Sequence, residues 1–253
     1  MKEKLLVLAK ACPIVSRSYE HLVCVAGITD KGEWRRVYPV PWTVFWKSGG
    51  SPFKKKSGIE YELLSEEPSD HRPESRKVIP ETMKLGKEAP FSDIKKILDE
   101  KLTSMEYLNN KDHKEVSLGV VKPELLDFTW DKASHYEEML EKQKQQTLDK
   151  TSAVKIDIPE REFRYRFKCS PGCTTVHNML CEDWEVSELF RNCKKRIGQP
   201  GYEDLDAICQ KVKEKMFDWM KSRRDLYFVV GTQYLYGTYM IIGLVYPKQS
   251  DEY

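Results

Sequence analysis

The segment KCSPGCTTVHNMLCEDWE sets Cys169, Cys173, His177 and Cys181 at a regular spacing, C-x3-C-x3-H-x3-C. Thiolates and an imidazole are what a zinc ion takes, four at a time and tetrahedrally, at about 2.0–2.3 Å. Ser170-Pro171-Gly172 supplies a tight turn that presents the first two cysteines together. If Thr174 to Cys181 runs extended, His177 and Cys181 share a face and both look toward that turn. Cys193, one helix further on, is an alternative fourth ligand. Four protein ligands leave no open position, so the expected ion is a structural Zn2+. The competing reading is a set of reduced cysteines packed as small hydrophobes.

Two segments gather carboxylates: Asp70-His71-Arg72-Pro73-Glu74-Ser75-Arg76 and Glu182-Asp183-Trp184-Glu185. Metal-dependent phosphodiester cleavage needs two or three carboxylates converging on Mg2+. Asp70, Glu74, Asp183 and Glu185, with His71 beside them, are the candidates. A plainer reading makes Asp183 a helix N-cap and pairs Glu74 with Arg72 and Arg76. No GxxxxGK[ST], GxGxxG, GxSxG or HExxH motif is present, so no reaction class has sequence support and binding is favoured over catalysis.

A third set could contact phosphate. The run Arg161–Lys168 alternates with period two, putting Phe163, Tyr165 and Phe167 on one face and Arg164, Arg166 and Lys168 on the other. Further basic runs are Arg35-Arg36, Lys54-Lys55-Lys56 and Lys194-Lys195-Arg196. Gathered on one side, these would form a stripe along a DNA or RNA backbone. Trp34, Tyr38, Trp42, Phe45 and Trp46 would then stack on bases, or else fill the core of a β-unit. The 42 basic residues are set against 40 acidic ones, a net charge of +2, which excludes a globally basic binder and leaves only a local patch.

These residues need a scaffold. At 253 residues and 40% hydrophobic content the chain can bury a sizeable core. Short β-branched and aromatic runs at Leu5–Ala9, His21–Thr29, Glu33–Val40 and Ile59–Leu64, with Asp30-Lys31-Gly32 as a hairpin turn, predict a β-rich meander or small barrel. Residues 91–109 repeat apolar side chains at helical spacing behind Ser92 as N-cap. The polar stretch 131–151 reads as a solvated helix or linker. The expected fold class is therefore α+β. A β-rich unit with one amphipathic helix occupies 1–130 and an α+β unit with the Cys/His cluster and a C-terminal hairpin occupies 152–253.

The N-terminal apolar run is too short for a secretory leader and no stretch is long enough to span a bilayer. With seven cysteines, an odd number, a reducing cytoplasmic setting without a membrane partner is expected. Taken together, GEWRRVYPVPW (32–42), DHRPES (70–75), FKCSPGCTTVH (167–177) with EDWE (182–185), and DLYFVVGT (225–232) with MIIGLVYP (240–247) resemble an uncharacterised prokaryotic protein family. The resemblance implies a bacterial or archaeal origin and makes Cys169, Cys173 and His177 a unit, leaving the fourth ligand open. The resulting expectation is a zinc-stabilised nucleic-acid-binding module, an accessory subunit of a defence or guide-dependent nucleoprotein complex. A metal-dependent nucleic-acid-processing enzyme and a structural protein-interaction subunit are the alternatives.

Overall fold

The computed structural model describes residues 1–12, 14–15, 21–41, 54–149, 157–223, 225–234 and 236–247. Trp42, Phe45 and Trp46 lie outside them.

The first half forms a seven-stranded sheet from β1 (Lys2–Lys10), β2 (Ile14–Val15), β3 (His21–Thr29), β4 (Trp34–Pro41), β5 (Ser57–Leu63), β6 (Ser75–Arg76) and β7 (Val78–Glu88). The order is β6-β4-β3-β1-β5-β7, with β2 added beside β3. The β3–β4 turn follows from Gly32, which takes a φ of 77° that a side chain would resist. One face of this sheet closes around Val7, Val23, Val25, Val37, Ile59, Tyr61 and the inserted Trp184.

The second sheet has six strands, β8 (Leu118–Val121), β9 (Glu124–Lys132), β10 (Arg161–Lys168), β11 (His177–Cys181), β12 (Tyr227–Thr232) and β13 (Tyr239–Val245), in the order β8-β12-β13-β11-β10-β9. All neighbours are antiparallel except β11 and β13. The continuous apolar run of β12 is explained by burial on both faces. Phe228 and Val230 enter a core covered by helices, while Tyr227 and Val229 enter a core shared with Leu8, Ala9, Ala26 and Ile28 of the first sheet. The sheets approach closely there, since a Cβ on Gly243 would lie 2.7 Å from the Leu8 carbonyl oxygen.

Three expectations are corrected. Strands β8 and β9 pair inside the second sheet, so the change of sheet comes before residue 118 and a unit ending at 130 does not describe the fold. Of the two readings of the polar stretch 131–151, solvated helix or linker, the structure shows the helix, α3 (Tyr136–Asp149). The helix predicted over 91–109 breaks into α1 (Phe91–Glu100) and α2 (Met105–Asn109). At the break Leu102 bridges to Val120 and the Thr103 amide donates to the Val120 carbonyl, pulling the chain out of helix. Pro90, not Ser92, precedes α1, and Ser104 caps α2 by accepting from the Tyr107 amide. Three further helical segments follow: α4 (Trp184–Lys194), α5 (Leu205–Lys213) and α6 (Trp219–Lys221), the last two joined by a π-helical turn at Glu214–Asp218. Tyr165 donates its hydroxyl to the Met216 carbonyl in that turn at 2.6 Å.

Candidate metal centre

The β10–β11 connection carries the predicted turn. Gly172 adopts a φ of 88°, and the Cys173 amide donates to the Ser170 carbonyl at 3.1 Å. This brings Cys173 beside Cys169, which continues the buried face of Phe163, Tyr165 and Phe167. His177 opens β11 opposite Phe167, with the two rings 5.5 Å apart. The fourth member is Glu106, on the first turn of α2. One ligand atom from each of Glu106, Cys169, Cys173 and His177 falls within 4.8 Å of all the others.

The individual separations are those of a coordination shell. Cys169 Sγ donates to Glu106 Oε2 at 3.1 Å and Cys173 Sγ to Oε1 at 3.3 Å. His177 Nε2 lies 3.2 Å from Glu106 Oε1 and 3.8 Å from Cys173 Sγ. A tetrahedron with bonds of about 2.0–2.3 Å has edges of roughly 3.3–3.8 Å, close to these four separations, and the remaining two pairs lie within 4.8 Å. The thiol hydrogen bonds hold the Glu106 carboxyl down, at about 2. Burial pushes the Cys169 thiol up to about 12. Between Glu106 and Cys169 the proton therefore sits on sulfur, where a cation would displace it.

Cys181 is not in the group, which corrects the four-ligand set read from the spacing. It lies on the same face of β11 as His177, but four residues of strand put about 13 Å between them. Its side chain is buried in the helix-covered core, its backbone pairing with Phe163 and Ile241. Cys193 also packs in that core, near Arg196 and Lys211, and is no ligand either. Glu106 was not found from sequence because it stands 63 residues from Cys169 on another element, and only the break before α2 aims it at the turn.

The four carboxylates proposed for Mg2+ stand in two places. Asp183 accepts from Lys55 Nζ at 2.6 Å, from the Leu244 amide and, as N-cap, from the Glu185 amide. Glu185 also pairs with Lys55, at 3.0 Å. Asp70 pairs with Arg72, while Glu74 accepts from the amide and hydroxyl of Ser117. The first group sits near Leu244 and the second near Thr232, toward opposite ends of β12–β13. They do not share an ion.

The basic residues also disperse. Arg35 is buried against Glu3 at 2.7 Å, and Arg36 and Lys55 are buried as well. Lys56 donates to the Tyr246 carbonyl, and Lys194 pairs with Glu160. Lys54 remains exposed. Lys195 and Arg196 are exposed at the end of α4, the latter stacked on Tyr202 at 3.9 Å. Helix α4 packs on the Phe163 face of β10, whereas Arg164, Arg166 and Lys168 project from the other face. Acids stand across from them on β9: Asp127 opposite Arg166 and Glu124 opposite Lys168.

Among the described residues no helix is long and apolar enough to cross a membrane. One family model, a domain of unknown function (DUF8758), matches residues 1–100, and another, DUF8757, matches residues 101–253. No curated protein and no solved structure matches the chain.

Proposed function

Because the chain belongs to the family of the domain of unknown function DUF8757, whose description carries no activity, we propose a function from the site itself: a binding protein folded around a structural zinc ion. The observation that carries this reading is the convergence of Glu106, Cys169, Cys173 and His177 from two distant segments. Two thiolates, an imidazole and a carboxylate form a borderline-soft, four-coordinate set, which suits zinc better than the all-oxygen shells of Mg2+ or Ca2+. The ion would tie α2 to the β10–β11 turn, and its four protein ligands leave no place for substrate. With the other candidate carboxylates engaged in ion pairs and caps, binding is favoured over catalysis. Seven free cysteines suit a reducing cytoplasm. Removing the ion with a chelator is expected to lower the melting temperature by about 10 °C, with recovery on adding Zn2+. An unchanged melt in protein shown to have lost its metal would contradict this.

A second reading, nucleic acid bound as part of a nucleoprotein complex, is favoured by the row of Arg164, Arg166 and Lys168 on the outward face of β10. Arg166 lies 4.0 Å from Asp127 and its side chain remains half exposed. Three phosphate contacts would give a slope of log affinity on log salt near −3. Replacing Arg164 and Arg166 by Ala should bring that slope near −1; an unchanged slope removes the row from the account.

A further inference from the structure

One side of the metal centre faces solvent. Pro171, Gly172 and Thr174–Val176, on either side of Cys173, are all exposed, and a Cβ on Gly172 would meet nothing within 4 Å. Cys173 is itself only partly buried, whereas Cys169 behind it is sealed in the core. The Glu106 carboxylate that completes the set is 44% exposed and stands on a helix of five residues. A hard carboxylate oxygen is also a weaker match for zinc than a third thiolate, and it screens the sulfurs less.

The set holds two thiols, and two is what one disulfide consumes. Cys169 and Cys173 both donate to the Glu106 carboxylate, at 3.1 and 3.3 Å, and their sulfurs lie within 4.8 Å of each other. A disulfide draws two sulfurs to about 2.05 Å. Rotation about the two Cα–Cβ bonds covers that difference, and the Ser170-Pro171-Gly172 turn, unpacked at Gly172, is free to follow. Oxidation of this pair removes both sulfur ligands at once and leaves only His177 and Glu106, too few to hold the ion. Cys181, Cys193 and Cys209, buried in the core, are shielded from the same chemistry.

We propose that the centre is a redox switch opened by hydroperoxides, an inference that rests on the zinc reading above. The Cys173 thiolate attacks the peroxide; an S–O bond forms, the O–O bond breaks, hydroxide leaves and the sulfur becomes a sulfenic acid. The Cys169 thiolate then attacks the sulfenic sulfur, the S–S bond forms and a second hydroxide leaves. Two electrons pass from the sulfurs to the peroxide, which ends as two waters when each hydroxide takes a proton from solvent. The zinc ion departs with its charge unchanged, and a dithiol reductant reverses the oxidation. Without the ion, α2 keeps only its Ser104 cap and the packing of Met105 and Leu108, so it is the element that loosens.

The test is treatment of the full, zinc-loaded chain with hydrogen peroxide, following the ion with a chromophoric chelator, the cysteines by peptide mapping and the amides by hydrogen exchange. About one zinc is expected to leave per peroxide consumed, with a disulfide between Cys169 and Cys173 in the map. The amides of α2 should exchange about tenfold faster, and dithiothreitol with Zn2+ should restore the starting state. Cys181→Ala should respond as the wild type does. Zinc retained under peroxide, zinc released without that disulfide, or release that leaves α2 exchange unchanged overturns the switch and leaves the structural ion standing. A chain that takes up no zinc overturns the zinc reading, and the switch with it.

Discussion

Read singly, Lys55 is a phosphate contact and Asp183 a metal ligand; in the fold each is the other's partner at 2.6 Å. A charged side chain looks the same in sequence whether it covers a surface or stitches two sheets, because its partner is 128 residues away. The Arg35–Glu3 pair, buried on β4 and β1, is of the same kind. Burial by itself would raise the Glu3 carboxyl, but hydrogen bonds from Arg35 and Tyr61 outweigh it and hold the group below its ordinary 4.5. A depressed carboxyl contributes stability above its unfolded value, and that contribution is lost as pH falls through the lower folded value. Glu3→Gln is therefore expected to cost about 1.5 kcal/mol near neutral pH, since it leaves the buried guanidinium with the more exposed Glu33 as its charged partner. Urea midpoints taken downward from about pH 5 should show the difference from wild type shrinking below pH 4.5. A difference that holds constant into strong acid would remove the Glu3 charge from the ledger of the fold.

At the scale of elements, periodicity was legible wherever one face met solvent. The alternation of Arg161–Lys168 defines β10, and Asp183 announces α4 as its N-cap. What was not legible is competition between elements. The apolar spacing over 91–109 fits one helix, yet β8 takes Leu102 and Thr103 into strand-like bonds and splits it. The split has a consequence for the metal centre, because Glu106 lies on the short α2, whose five residues depend on the Ser104 cap. A helix of that length is marginal without its cap and packing. Ser104→Ala should cost about 1 kcal/mol and loosen the aim of Glu106. Metal competition with a chromophoric chelator is expected to show affinity falling by about tenfold, a typical effect of losing a supporting contact. Affinity equal to wild type would mean that packing of Met105 and Leu108 alone fixes α2.

For the whole molecule, the two sheets are packed against one another through a shared core. They share the core of Leu8, Ala26, Tyr227 and Val229, exchange Trp184 into the first sheet, and are tied by Lys55–Asp183. Composition hid this, because the polar α3 resembles a linker while the real joint is apolar and continuous. The Cys/His cluster was three-quarters legible: adjacent turn residues gave Cys169, Cys173 and His177, and the fourth position required a distance that strand periodicity does not carry. The most direct measurement is elemental analysis of the purified chain alongside Cys173→Ala, Glu106→Ala and Cys181→Ala. One zinc per chain is expected in the wild type and in Cys181→Ala, which should lose only about 1 kcal/mol of packing, with little or none in Cys173→Ala and a weakened, substoichiometric content in Glu106→Ala. Zinc lost from Cys181→Ala but kept in Glu106→Ala, or a wild-type chain that holds no metal, would contradict the centre described.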